Sequence, residues 1–161
     1  MSILLVRHGL SEANNRANVG GMAFGAASAP LMKLGRDQAA LAGAVLEDQY
    51  GIELENTAVA TSDLLRTQQT ARLAGFTTLR SYAQLDEVKH GLDPLRLRAI
   101  LDSGQLPKIV IEAAEVTLAN PPAEKVWFSH GLRIAGVCAV LGIHQELRLI
   151  PRFCEIRQIE L

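Results

Sequence analysis

The sequence predicts an α/β fold, a three-layer sandwich around a mainly parallel central sheet. Short apolar runs alternate with helix-patterned segments along the chain, which is the signature of strands joined by crossover helices. The first run, Ile3 to Val6, is continuously apolar, as expected of a strand buried on both faces. At 161 residues and 48% hydrophobic content the chain can bury a real core without disulfide or metal staples. One domain spanning residues 1–161 is expected.

The elements follow in order. Beyond Val6, residues 16–30 are dense in glycine and alanine and read as an irregular loop. Leu34 to Tyr50 places Leu34, Ala39, Leu41, Ala42, Val45 and Leu46 at helical spacing, and Gly51 is a stop. Thr57 to Thr61 reads as a second strand. Ser62 and Asp63 then supply an N-cap and an acidic first turn for a helix through about Ala74. Pro94 opens a further helix that ends before Gly104. Residues 109–119 fit helix or strand by pattern, and their alanine and glutamate favour helix. Asn120-Pro121-Pro122 is a break. Lys125 to Ser129 reads as a strand, Leu132 to Leu141 as a helix closed by Gly142, and Phe153 to Leu161 as a last strand.

Lys and Arg total 16, Asp and Glu 17, and aromatic residues make up 4%. A near-neutral chain poor in stacking side chains argues against a nucleic-acid partner. The N-terminal apolar run is shorter than the ~7–15 residues of a signal-peptide core, so no membrane partner and a cytoplasmic location are expected. Cys138 and Cys154 form no C-x-x-C pair and are expected as buried thiols in a reducing compartment. The oligomeric state is not readable.

Two strands end in His-Gly pairs: Arg7-His8-Gly9 after Leu4-Leu5-Val6, and Ser129-His130-Gly131 after Val126-Trp127-Phe128. Ligands of open α/β sheets bind beyond the carboxyl ends of the strands. Two such histidines can therefore face one another across a pocket. A third strand-to-helix junction carries Arg66. Arg7 and Arg66 add guanidinium forks that match phosphate oxygens and stay charged. Two His and two Arg at strand ends make a compact site for a phosphoryl group. His90 and His144 are expected on the surface or in loops. No pair of histidines has metal-ligand spacing such as H-E-x-x-H, so neither a metal nor a cofactor is expected.

These residues resemble a known family. Arg7-His8-Gly9 with Ser11 and Asn14 is similar to the R-H-G-x-S-x-x-N signature of the histidine phosphatase superfamily, which includes the cofactor-dependent phosphoglycerate mutases. Pro30-Leu31 with Leu34-Gly35 and Gln38-Ala39 resembles its P-L-T-x-x-G-x-x-Q-A segment. Ser62-Asp63-Leu64 with Arg66, Gln69, Thr70 and Ala71 resembles S-D-L-x-R-x-x-Q-T-A. Leu85, Glu87 and Gly91 resemble L-x-E-x-x-x-G, and Ser129-His130-Gly131 resembles the second-histidine block. Leu10 stands where the family has Glu or Gln, and Met32 where it has Thr.

The resemblance implies a phosphoglycerate mutase-like fold and covalent catalysis by a neutral His8, attacking phosphorus to form a phosphohistidine that water hydrolyses. Arg7, Arg66 and His130 would hold the phosphoryl oxygens, and the Gly9 carbonyl would fix the His8 tautomer. Glu87 would be the acid for the leaving oxygen and then the base for water. Asn14 and Gly131 are expected to contact the phosphoryl group; Ser11 is expected to cap the following turn more than to touch substrate. The stretch from Gly91 to Ser129 is short beside the mutases, which favours a phosphatase acting on a phosphorylated small molecule or a phosphoprotein. A phosphoglycerate mutase-type phosphomutase and a non-catalytic phospho-ligand binder are the other readings.

Overall fold

A computed structural model describes residues 1–15, 26–143 and 148–161. Among them lie five strands and five α-helices. In chain order these are β1 (Ser2–Arg7), α1 (Lys33–Tyr50), β2 (Val59–Thr61), α2 (Leu65–Leu73), β3 (Leu79–Ser81), α3 (Pro94–Asp102), α4 (Lys108–Ala119), β4 (Val126–Ser129), α5 (Gly131–Val140) and β5 (Ile156–Glu160). The sheet order is β3-β2-β4-β1-β5. The first four strands in that order run parallel, and β5 closes the edge antiparallel to β1. The architecture is the α/β sandwich with a mainly parallel sheet.

Both faces of the sheet are covered. Alternate residues along β1 point opposite ways because side chains in a strand have a period of two. Ile3 and Leu5 join Ala60, Trp127 and Ile159 against Ala114 of α4 and Ile134, Val137 and Cys138 of α5. Leu4 and Val6 join Val59, Val126 and Phe128 against Leu46 of α1, Ala71 of α2 and Ala74 just beyond that helix. A smaller cluster of Val88, Val110 and Leu132 gathers Leu97 and Leu101 of α3, a helix with no fully buried residue.

Most expected elements are present with shifted ends. Residues 109–119 are helical, within α4. The helix expected from Ser62 begins instead at Leu65. Ser62 is fully buried and its hydroxyl is engaged by His130, while the Asp63 N–H turns away to Asp86 Oδ1 at 2.8 Å. The last strand begins at Ile156 rather than Phe153. Cys154 adopts a left-handed φ of 57° and donates its N–H back to the Arg7 carbonyl at 3.0 Å, which turns the chain before pairing starts. Cys138 is buried as expected, but Cys154 is only half-buried. β3 has no counterpart among the expected strands: it is three residues long, mostly exposed and polar, so it lacks the apolar run that marks a strand. Of the expected loop at 16–30, residues 26–30 carry no helix or strand; residues 16–25 lie outside the described residues, as does His144.

Helix α1 crosses α2 at Gly43, where a Cβ would run into the Ala74 backbone, with its carbonyl carbon at 2.8 Å and Cα at 2.9 Å. Ala is the better helix former by about 0.8–1.0 kcal/mol. Overpacking against backbone costs about 1–3 kcal/mol and should outweigh that gain. Gly43→Ala is therefore expected to lower the urea midpoint of unfolding, whereas an unchanged or higher midpoint would mean the two helices separate freely.

Candidate active site

The site is assembled by sheet register. Leu4 to Arg7 pairs in parallel with Val126 to Ser129, with Arg7 opposite Ser129, so the residues that follow, His8 and His130, emerge side by side. The His8 N–H donates to the Ser129 carbonyl at 3.1 Å. The two rings lie 5.0 Å apart between centroids, and both are buried. Next to β4, β2 ends at Thr61 opposite Phe128, which brings Ser62 and the first turn of α2, with Arg66, to the same rim.

Each ring is fixed from behind. His8 Nδ1 donates to the Gly9 carbonyl at 2.7 Å, and since a carbonyl only accepts, the neutral ring keeps its Nε2 lone pair. Phe153 packs on His8 at 5.8 Å between centroids and lies under the Arg7 guanidinium at 4.0 Å. Arg7 Nη1 donates to the Pro151 carbonyl at 2.6 Å, and Arg66 Nη1 to the Ala26 carbonyl at 3.3 Å. His130 Nε2 meets Ser62 Oγ at 2.8 Å. Among the described residues, three side-chain nitrogens remain buried with no hydrogen-bond partner: Arg7 Nε, Arg66 Nε and His130 Nδ1.

Burial sets the protonation states. His8 is pushed down to about 3, first by desolvation and then by Arg7 and Arg66, against the Gly9 hydrogen bond. His130 is held well below its usual value by desolvation, then by His8, Arg66, Arg7 and Arg133. Desolvation also lowers Arg7, Arg66 and Arg133, and in each case the Glu87 charge is the largest opposing influence. Glu87 thus acts on all three guanidinium groups. Its carboxylate sits at the N-terminus of α5, where Oε1 accepts from Val88 N at 2.9 Å and Arg133 N at 3.3 Å, and Oε2 from Leu132 N at 3.4 Å.

The remaining expected residues take related positions. Asn14 ends a short 3-10 turn, Glu12–Asn14. Ser11 does not cap that turn through its side chain; its hydroxyl donates to Asn14 Oδ1 at 2.7 Å. That bond engages the amide oxygen and leaves the NH2 as the donating end of Asn14. Gly131 makes room for Arg7: a Cβ there would meet Ile150 Cγ2 at 2.9 Å and Arg7 Cζ at 3.3 Å. Leu10 is half-buried beside the site. His90 lies in a loop, where its Nδ1 accepts from Leu92 N at 3.1 Å.

Sequence reasoning missed Phe153, Arg133 and the hydroxyls behind His130. Phe153 carried no signal, because only the chain reversal before β5 brings it to His8. Gln38, Gln69 and Thr70 were visible as motif positions without a role. They accept the backbone N–H groups of Leu10 at 3.0 Å, Leu31 at 2.8 Å and Gly9 at 3.0 Å, pinning the loop after β1.

The fold and this pair of strand-end histidines define an α/β class of histidine-phosphatase type, and the comparisons with known proteins agree. The Histidine phosphatase superfamily (branch 1) matches residues 3–96. The chain belongs to this superfamily. No curated protein matches the chain. Among solved structures, TTHB049 from Thermus thermophilus is similar at 25% identity and a TM-score of 0.67, over 99% of this chain and 94% of that one. The open reading frame Rv3214 from Mycobacterium tuberculosis is similar at 25% identity and a TM-score of 0.63, over 99% and 91%. A mycobacterial hydrolase shares the fold at 20% identity with a TM-score of 0.58, over 98% and 87%. Among the described residues no helix is long and apolar enough to cross a membrane, and no group of three or more His, Cys, Asp or Glu is placed to hold a metal ion.

The low histidine pKa values predict an acid-sensitive fold. Unfolded histidine protonates near 6.5 and folded His8 only near 3, so between those values the unfolded chain binds the extra proton. Stability from this source is complete above pH 6.5 and drains as pH falls, at up to about 1.4 kcal/mol per pH unit for each such histidine. Urea unfolding at pH 7, 6 and 5 should show a decline that His8→Asn makes shallower. A slope unaffected by that substitution would place the acid sensitivity elsewhere.

Proposed function

We propose that the protein is a phosphatase that hydrolyses a phosphomonoester or phosphoprotein through a phosphohistidine on His8. The observation that carries this reading is the set of three buried nitrogens around His8, on Arg7, Arg66 and His130, that no group among the described residues engages. Buried polar nitrogens are nearly always satisfied, and Arg7 Nε and Arg66 Nε can only donate, so a ligand offering several oxygens suits this cradle, and a phosphoryl group does.

In this reading the Nε2 lone pair of His8, uncovered by the Gly9 hydrogen bond, attacks phosphorus opposite the leaving oxygen. The P–N bond forms as the P–O bond breaks, and Glu87 delivers a proton to the departing oxygen. The phosphorylated ring keeps its Nδ1 proton on the Gly9 carbonyl, which offsets the positive charge it acquires. Water then attacks phosphorus, Glu87 takes up a water proton, the P–N bond breaks, and His8 returns neutral. Arg7 and Arg66 stabilise charge on the equatorial oxygens throughout, the main task in phosphoryl transfer. Asn14, oriented by Ser11, and Gly131 at the first turn of α5 complete the binding set. The short segment from Gly91 to Ser129, in which α3 has no fully buried residue, supports an open site and transfer to water over a mutase.

With a small aryl phosphate, the wild-type protein is expected to form an acid-labile, alkali-stable phosphoenzyme that His8→Ala abolishes. Failure to hydrolyse any phosphomonoester or phosphoprotein between pH 5 and 8 would end the catalytic reading. Product analysis separates phosphatase from mutase, by whether the phosphoryl group ends on water or on a second hydroxyl. Glu87→Gln is expected to slow esters with poor leaving groups by about 10²–10⁴-fold, the usual worth of general acid catalysis, and to slow good ones far less. Equal effects on both would remove Glu87 from the acid role.

A further inference from the structure

The hydroxyl groups behind His130 decide which of its nitrogens carries the proton. Ser62 Oγ lies 2.8 Å from His130 Nε2 and 2.8 Å from Thr67 Oγ1, and accepts the Leu64 N–H at 3.1 Å. Thr67 has one hydroxyl proton, and the Leu64 carbonyl 2.8 Å away can only accept it. With that proton committed, the short contact between the two hydroxyls requires Ser62 to donate to Thr67. The single proton of Ser62 is then used, so its contact with His130 needs a hydrogen from the ring, on Nε2. Any wiring in which Ser62 donates to His130 leaves two oxygens 2.8 Å apart with no hydrogen between them, at Thr67–Leu64 or at Ser62–Thr67. In an interior of low dielectric that repulsion is costly. A neutral ring protonated on Nε2 has a bare Nδ1, and Nδ1 is the nitrogen left without a partner.

We propose that Ser62 and Thr67 are positioning residues that hold His130 of the empty site as the Nε2–H tautomer, so that a phosphoryl group enters together with one proton, shared between its oxygen and His130 Nδ1. The proposal rests on the phosphoryl-binding reading above and adds the ionic form that the site accepts. A bare Nδ1 repels an unprotonated phosphoryl oxygen. Either a P–OH donates to Nδ1, or the ring becomes imidazolium and donates to the dianion; both carry one proton more than the neutral site plus a dianion. The charged groups that act on His130 are Arg7 from β1, Arg66 from α2 and Arg133 from α5, with His8 as the neighbouring ring. Glu87 offsets the arginines from the N-terminus of α5. Burial first, and then the three cations, keep the empty ring neutral, and a bound anion opposes the effect of the cations. Above the second pKa of the phosphoryl group, about 6 for a phosphoester and higher for inorganic phosphate, affinity should fall about tenfold per pH unit, which is the mass-action consequence of binding one proton.

The test uses ring-nitrogen NMR of the ligand-free protein and calorimetry of inorganic phosphate binding in two buffers of different ionisation enthalpy. Wild type is expected to show His130 protonated on Nε2 and bare on Nδ1, and to take up close to one proton per phosphate at pH 8. Thr67→Val, which keeps the shape but frees the Ser62 proton for Nε2, should move the ring proton to Nδ1 and bring the uptake towards zero. Thr67→Ser should restore both. A wild-type ring protonated on Nδ1, or a tautomer unmoved in Thr67→Val, overturns the proposal, and so does binding without proton uptake. If no phosphate binds at all, the phosphoryl reading falls and takes the coupled proton with it, while the NMR result still decides the tautomer.

Discussion

The parallel pairing of β1 with β4 is the constraint on which the site depends. Its register sets Arg7 against Ser129 and so delivers two histidines to one place, 5.0 Å apart. A shift by one residue would turn each side chain to the opposite face of the sheet, which would part the two histidines and force both faces of the core to repack. Core packing therefore supports the geometry of the site: the register that fits Leu4, Leu5, Val6, Trp127 and Phe128 against the helices is the one in which His8 and His130 meet.

That meeting is unfavourable in itself, because two imidazoles and two guanidinium groups share a dry volume. The protein offsets the conflict in several ways. Both rings are held neutral, by desolvation before any neighbouring charge. The arginines are tied by their terminal nitrogens to the Pro151 and Ala26 carbonyls. Glu87 places a negative charge within reach of Arg7, Arg66 and Arg133 while its own oxygens lie on the amides that open α5. The two rings are anchored through opposite nitrogens, His8 through Nδ1 to a carbonyl and His130 through Nε2 to a hydroxyl. Side chains from α1 and α2 hold the loop after β1: Thr70, Gln38 and Gln69 each accept one of its backbone N–H groups or that of its partner segment.

Much of this was legible in advance. The apolar runs of β1 and β4 and the helical spacing of α1 and α5 are strong periodic signals, and the structure has those elements within a residue or two of their expected ends. Residues 109–119 were ambiguous by pattern and were decided by composition. The weak points share a cause. β3 is stabilised by a parallel neighbour rather than by its own apolar content, so nothing local marks it. The start of α2 moved because Ser62, a good capping residue by type, is drawn to His130, 68 positions away in the chain. The sequence pattern carries the last strand back to Phe153, because nothing local marks a left-handed residue at Cys154, where no glycine stands.

By itself, the sequence determined the family. Arginine and histidine at the ends of apolar runs, in a fixed order with Gln38, Gln69, Thr70 and Glu87, are covalent facts that do not wait for folding, and they sufficed to point to the family. Tertiary structure decided the electrical state of those residues. The depth at which His8 lies, the carbonyl behind its Nδ1, the hydroxyl pair behind His130 and the position of Glu87 among three arginines all depend on groups far apart in the chain. A histidine's type is written in the sequence. Its proton is set by what surrounds it, because desolvation and hydrogen bonding act through space.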